Sequence, residues 1–233
     1  MRLEVLGTRG EIEESAPRHL RHSGLLVDGR LLFDLGEREF LEKKPERVFL
    51  THLHPDHAFF VRAPAPLGLA VYAPEKRAGV PELRVFPGRI RWRGYTVRAV
   101  PTHHSLKVKS TAYIVEKSGQ RFLYTVDMFW INKEFQPLLG RLDLVVTEAS
   151  FLRRGGMIRR DRATGVAYGH AGVPNLVELF ARFTRHILLV HFGSWFYADM
   201  REARRTLRAL GRESGVDVRA GYDGYELDLK DLR

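Results

Sequence analysis

The 233-residue chain contains no cysteine, which excludes disulfides and thiolate metal ligands. Any metal held by its side chains must be held by His, Asp and Glu. No stretch approaches the roughly 18–20 consecutive apolar residues that cross a bilayer, so no membrane partner is expected. The opening residues, MRLEVLGTRG, lack the apolar segment of a secretory signal, and the cytoplasm is the expected compartment. There is no low-complexity segment, Pro/Gly-rich linker or fixed-period repeat, so 1–233 is read as a single domain. Lysine is also scarce. It supplies 8 of the 38 basic residues, and arginine supplies 30.

The formal net charge is +10. An excess of that size suits an anionic partner such as a phosphate ester, a nucleotide or nucleic acid. An Arg-rich surface laced with ion pairs accounts for it equally well. The hydrophobic fraction of 44% and charged fraction of 28% are those of a globular domain with a real core.

Short apolar runs recur between turn signals. Strands are predicted over 2–6, 47–51, 69–73, 95–101, 111–116 and 121–127. A hairpin over 24–36 turns at Asp28-Gly29, and a second turns at Ser118-Gly119. The runs at 142–148 and 186–192 are nearly all apolar and read as strands buried on both faces. Helices are predicted over 173–183, with Pro174 in the first turn, and over 198–214, with an apolar stripe at Met200, Ala203, Leu207 and Leu210. Strands in the first part and alternating strands and helices in the second give a layered α/β arrangement.

The densest chemistry lies in FLTHLHPDHAFF, 49–60. His52 and His54 are two apart at the end of an extended segment, so their side chains point the same way and can grip one ion. Pro55 should bend the chain into a helix and aim Asp56 and His57 at a second point nearby. Four ligands from one loop do not close two sites. Further donors stand where apolar strands end: His103 or His104 in AVPTHHS, Asp127 in FLYTVDMF and His191 in ILLVHFG. Strand ends are where sites in layered α/β folds collect.

In this order, THLHPDH, a His after a strand, TVD and LVHF resemble the metallo-β-lactamase superfamily over nearly the whole chain. The resemblance implies a four-layer αβ/βα sandwich and two divalent metal ions, zinc foremost, with Mn or Fe served by the same donors. Carried over residue by residue, His52, His54 and His104 hold the first ion. Asp56, His57 and His191 hold the second, and Asp127 bridges them. His104 is chosen over His103 because HSLKVKSTAYIV is similar to the family's pattern before its next strand, and His103 falls outside the ligand set. Asp34, in LLFDLGE, orients the ligand loop.

Two neighbouring metals lower the pKa of a bridging water and clamp both oxygens of a displacement, which serves β-lactams, thioesters, lactones and phosphodiesters alike. The opening LGTRG and RHLRHSGLLVDG, Glu148 in LVVTEASF and His170 in AYGHAG resemble the phosphodiesterase branch. That branch includes ribonuclease Z and the cyclic-phosphate phosphodiesterase of phosphonate breakdown. There the extra His binds phosphate or protonates the departing oxygen, and the Glu orients it. Asp56, Glu148 and His170 are therefore the expected catalytic residues, with Asp56 assisting the water while ligating metal. Only 22 residues separate His104 from Asp127, too few for the arm with which ribonuclease Z grips tRNA. GHAG also departs from that enzyme's Gly-His-Ser-Thr.

The expected activity is thus phosphodiester hydrolysis on small nucleotides or cyclic phosphates, with RNA second. A carboxylic ester, thioester or lactone hydrolase is the alternative, and a nucleic-acid binder with structural metals the third reading. A homodimer is compatible with the sequence. RRGGMIRRDR, 153–162, carries five arginines and is expected to form a mobile basic lid. Trp130 and Trp195 are expected in the pocket wall, and His19, His22 and His186 on the surface.

Overall fold

In the computed structural model, which describes residues 1–232, two seven-stranded sheets pack face to face. Six strands of the first come early in the chain, β1 (Arg2–Gly7), β2 (Gly24–Val27), β3 (Leu31–Phe33), β4 (Arg47–Phe49), β5 (Ala70–Ala73) and β6 (Leu83–Val85). The second holds β7 (Arg89–Trp92), β8 (Tyr95–Thr102), β9 (Ser110–Lys117), β10 (Gln120–Thr125) and β11 (Leu144–Ala149). A two-stranded ribbon follows, β12 (Met157–Arg160) with β13 (Ala167–His170). The chain ends through α1 (Val173–Phe180), β14 (His186–Phe192), α2 (Ser194–Ala198), α3 (Met200–Ser214), β15 (Asp217–Ala220) and β16 (Tyr225–Asp228). The first sheet runs β16-β1-β2-β3-β4-β5-β6 and the second β15-β14-β11-β10-β9-β8-β7.

Alternation along the strands builds three apolar layers. Between the sheets, Val5, Phe33 and Phe49 meet Tyr113, Phe122, Tyr124 and Val146. Residues one step along, such as Leu123, Val145 and Ile187, face outward onto Leu176, Phe180 and Leu207 of α1 and α3. The outer face of the first sheet, with Leu32 and Val48, is covered by Phe40 and Phe60, which sit in two short 3₁₀ turns. The α/β sandwich predicted from the sequence is therefore present, although one outer layer is made of turns and loops. α3 starts where Asp199 accepts from the Arg201 and Glu202 N–H groups, both at 3.0 Å, and stops at Gly215 with φ +67°.

Strands β10, β11, β14 and β15 are parallel neighbours, as are β3, β4, β5 and β6. Their carboxyl ends open on the same region, so the loops after β4, β10 and β11 and the last residues of β14 converge there.

Three local expectations fail. Pro55 starts a turn instead of a helix, because the His57 and Ala58 N–H groups bond back to His54 and the chain then departs. Within the basic segment 153–162, Met157–Arg160 form β12, paired residue for residue with β13, and only the flanking residues are turn or irregular backbone. Gly156, at φ +61°, lies so close to the ribbon's base that a Cβ there would meet the His170 carbonyl oxygen at 2.2 Å. The base is packed tight, where a mobile lid requires a free hinge.

His19 is the third exception. It is 1% exposed, ringed by Phe192, Phe196 and Tyr197. His22 and His186 are half-buried, beside Glu37 and Asp217. Arg204 donates to His19 Nε2 (3.1 Å), His19 Nδ1–H donates to Thr8 Oγ1 (2.8 Å), and Thr8 donates to Asp223 Oδ1 (2.8 Å). This chain uses neutral imidazole. Burial first, then the neighbouring arginines, outweigh the Asp223 charge and lower the His19 pKa to about 4. The unfolded chain takes up this proton near pH 6.5 and the folded one near 4, so stability is lost as pH falls across that window. In metal-stripped protein, the fall in unfolding free energy from pH 7 to pH 4.5 is expected to be smaller in His19→Gln, by on the order of 2–3 kcal/mol. Urea midpoints at the two pH values measure it, and parallel slopes in the two proteins would refute it.

Candidate metal centre

The residues singled out from the sequence meet at the carboxyl ends of the parallel strands. Three groups bring ligand atoms within 4.8 Å of one another: His52, His54, His104 and Asp127; Asp56, His57, Asp127 and His191; and Asp127, Glu148 and His170. Asp127 belongs to all three.

In the first group His54 Nδ1 lies 3.0 Å from His52 Nε2 and 3.1 Å from His104 Nε2. Asp127 Oδ2 is 3.7 Å from the former nitrogen and 3.6 Å from the latter. Four donors about 2.0–2.1 Å from a common centre form a tetrahedron with edges of about 3.3 Å, so these spacings suit one cation. Hydrogen bonds alone do not. A single proton on His54 Nδ1 satisfies one neighbouring nitrogen and leaves the other facing it. Burial and the adjoining imidazoles lower the pKa of His52 well below the ordinary value, that of His54 to about 4, and also that of His104. Neutral imidazole is the metal-binding form.

The second group is more strongly charged. Asp56 Oδ2 stands 2.9 Å from His191 Nε2 and 3.3 Å from His57 Nε2, and Asp127 Oδ2 stands 3.5 Å from His57 Nε2. Burial alone would raise both carboxyl pKa values, but the facing histidines hold them well below the ordinary range. His57 Nε2 and Asp127 Oδ1 are buried without a hydrogen-bond partner. Orphaned buried polar atoms are rare, and His57 Nε2 faces the Asp56 and Asp127 carboxylates where a cation fits, while Asp127 Oδ1 stands 3.1 Å from His191 Nδ1.

Behind His57 the support is complete. Asp34 Oδ2 accepts from His57 Nδ1 (2.8 Å) and from the Tyr124 hydroxyl of the other sheet (3.1 Å). Asp34 Oδ1 accepts from the Thr51 N–H (2.7 Å). With Nδ1 engaged, His57 must present Nε2 to the cluster. His104 is fixed likewise, its Nδ1 donating to the Gly169 carbonyl at 3.2 Å. Asp34, Asp127 and His191 adopt positive φ (58°, 39° and 51°), which non-glycine residues hold only under local constraint.

His170 Nδ1 donates to Glu148 Oε2 at 2.8 Å, and Glu148 Oε1 accepts from the Met128 N–H at 2.7 Å. Both Glu148 oxygens are thus committed. Burial lowers the His170 pKa, but the charges of Glu148 and Asp127 outweigh it and carry it to about 9. A cavity of about 550 Å³ opens over the cluster, with His170, Phe151, Ser150 and Arg62 in its wall.

Some residues stand elsewhere. His103 lies outside all three groups, against Asn132 (Nε2 to Oδ1, 2.8 Å). Trp195 packs on the core and donates to the Ala149 carbonyl (2.8 Å), so it forms no wall. Trp130 lines a neighbouring cavity behind the ribbon. Sequence reasoning missed Tyr124, Thr51, Phe151 and Ser150, whose Oγ is 3.1 Å from His191 Nδ1. Ser150 and Phe151 directly follow β11, a position that could have signalled them.

A two-sheet sandwich with His/Asp clusters at its strand ends, able to bind metal ions, defines a metallo-β-lactamase-fold hydrolase. The chain belongs to the family described as the Beta-lactamase superfamily domain, which matches residues 38–192. Among solved structures it is similar to the metallo-beta-lactamase fold protein YhfI from Bacillus subtilis, at 16% identity and TM-score 0.68, covering 97% of this chain and 98% of that one. It is also similar to a diphosphatase from the PhnP family, at 18% identity and TM-score 0.66, covering 97% of each chain. Human tRNase Z, short form, follows at 16% identity and TM-score 0.62, covering 98% and 99%. No curated protein matches the chain significantly.

Proposed function

We propose that this protein is a phosphodiesterase with two divalent ions, zinc first and manganese or iron as alternatives, acting on small nucleotide or cyclic phosphate diesters, with RNA second. His52, His54 and His104 with Asp127 would hold one ion, and Asp56, His57 and His191 with Asp127 the other. When bound, the ions supply Lewis acidity and an acidified water. The residues do the rest. Asp56 accepts the proton of the attacking water. The water oxygen becomes bonded to phosphorus, and the P–O bond to the leaving group breaks with its electron pair. His170, with Nδ1 tied to Glu148, has only Nε2 free to give a proton to the departing oxygen.

The Glu148–His170 pair beside Asp127 carries this reading. Carboxylic ester hydrolysis needs the ions but gives that pair no necessary task. A protonated His also attracts an anionic diester. The test compares turnover of bis(p-nitrophenyl) phosphate and of a p-nitrophenyl carboxylate ester by the metal-loaded protein. Diester turnover is expected to dominate, and ester turnover alone would move the protein to the carbon-ester class.

A further inference from the structure

The ribbon leaves the metal cluster at His170 and runs outward. Its register sets Met157 opposite His170, Ile158 opposite Gly169, Arg159 opposite Tyr168 and Arg160 opposite Ala167. Directly opposed residues of an antiparallel pair share a face, and successive residues alternate. Ile158, Arg160 and Ala167 line a cavity of about 520 Å³ against Trp130 and α1, which identifies one face. Tyr168 and Arg159 therefore stand on the other face, the one that carries His170 into the metal cavity.

That face is held in place. The Gly169 N–H donates to the His104 carbonyl (2.6 Å), the Ala171 N–H to that of Met128 (2.9 Å), and the Gly155 N–H to Asn175 Oδ1 (2.7 Å). The ribbon is thus anchored to the same backbone that positions His104 and follows Asp127. Tyr168 is half-buried and Arg159 exposed. The neighbouring arginines are partly engaged, Arg154 with Glu178 (2.9 Å) and Arg160 with the Gly165 carbonyl (3.2 Å). Among the described residues Arg159 forms no ion pair.

We propose that Tyr168 and Arg159 form the subsite for the departing half of the diester, and that this half is a nucleoside bearing a further phosphate. This rests on the phosphodiesterase reading. The group leaving phosphorus must reach the His170 proton, so it departs toward the ribbon. Two residues along a strand is roughly 6.6 Å, so Tyr168 stands one short step beyond His170, where a base can stack on its ring. Arg159, its cross-strand partner, has a Cβ roughly 5 Å from that of Tyr168 and grips the next phosphate through paired N–H groups. A cyclic sugar phosphate leaves this ridge unused, so the geometry favours nucleotide substrates within the proposed class.

The test uses metal-loaded protein and pUpUp, a dinucleotide with a phosphate at each end. Whichever P–O bond breaks, the departing half then carries a base and a phosphate. Tyr168→Ala and Arg159→Ala are each expected to raise KM about tenfold, as expected for one stacked base or one gripped phosphate. Tyr168→Phe should keep the native KM, and Arg160→Ala, on the opposite face with the same loss of charge, should stay within twofold. An unchanged KM in Tyr168→Ala, or equal effects of Arg159→Ala and Arg160→Ala, overturns the subsite. Methyl p-nitrophenyl phosphate, which has no nucleoside, separates the two levels. If the unaltered protein hydrolyses neither diester, the phosphodiesterase reading itself falls.

Discussion

Replacing Asp127 by Ala is expected to abolish hydrolysis of diester reporters, with a loss of at least about 10³-fold in kcat/KM, because Lewis acidity and the acidified water each contribute several kcal/mol. Asp127 is the single residue shared by all three clusters, and its carboxylate is the charge that His52, His57 and His104 face in common. Without it, the imidazoles of each group lose the carboxylate they share. Bound metal is then expected to drop from two ions per chain to fewer than one. The substitution sits at the end of β10, outside the apolar layers, so the far-ultraviolet circular dichroism of the metal-free variant should match that of metal-free native protein. Unchanged turnover with full metal content would remove Asp127 from the centre.

His170→Ala is expected to act on a different step. For a diester with an alkoxide leaving group, loss of the proton donor should cost about 10²–10⁴-fold in kcat. For p-nitrophenolate, which departs readily without a proton, the loss should be far smaller. The pH profile gives a second, independent readout. The donor works only while protonated, so turnover of the alkoxide diester falls as pH rises through the His170 pKa. Burial lowers that pKa, but Glu148 and Asp127 raise it more, to about 9. Bound cations pull it downward, so the direction of change is diagnostic. Glu148→Gln removes the largest raising charge, and the alkaline fall should move to lower pH. A profile unmoved by Glu148→Gln would mean that the pair does not set the donor.

The predicted strands, and the two apolar runs above all, were legible because alternation and burial leave a strong pattern: 186–192 is β14 residue for residue. The ribbon was not. Its strands are four residues each; β12 is half arginine and mostly exposed, and β13, with the sequence AYGH, is mixed in polarity and half-buried, so no apolar periodicity marks them. Its pairing depends on glycines at positive φ, Gly156 and Gly169, that look like loop residues in a sequence. β6, β7, β15 and β16 are likewise short, and each lies at or beside a sheet margin with partly exposed faces.

Within the candidate site, the donors were visible because H-x-H-x-D-H is dense in rare residue types. The supporting residues were not. Tyr124 reaches Asp34 from the opposite sheet, 90 positions away, and nothing in its neighbourhood distinguishes it from the other core tyrosines. His19 misled for the converse reason. A histidine in a polar segment, RHLRHS, reads as exposed, and its burial is decided by Arg204 and Asp223, distant in sequence.

The proposed hydrolysis requires these donors to hold two divalent ions. The most direct measurement is elemental analysis of protein purified without added metal, repeated after incubation with zinc or manganese and removal of the excess. Two ions per chain, falling below one in Asp127→Ala, is the predicted result. A native chain that retains no metal under either condition would rule out the two-ion site, whatever its fold.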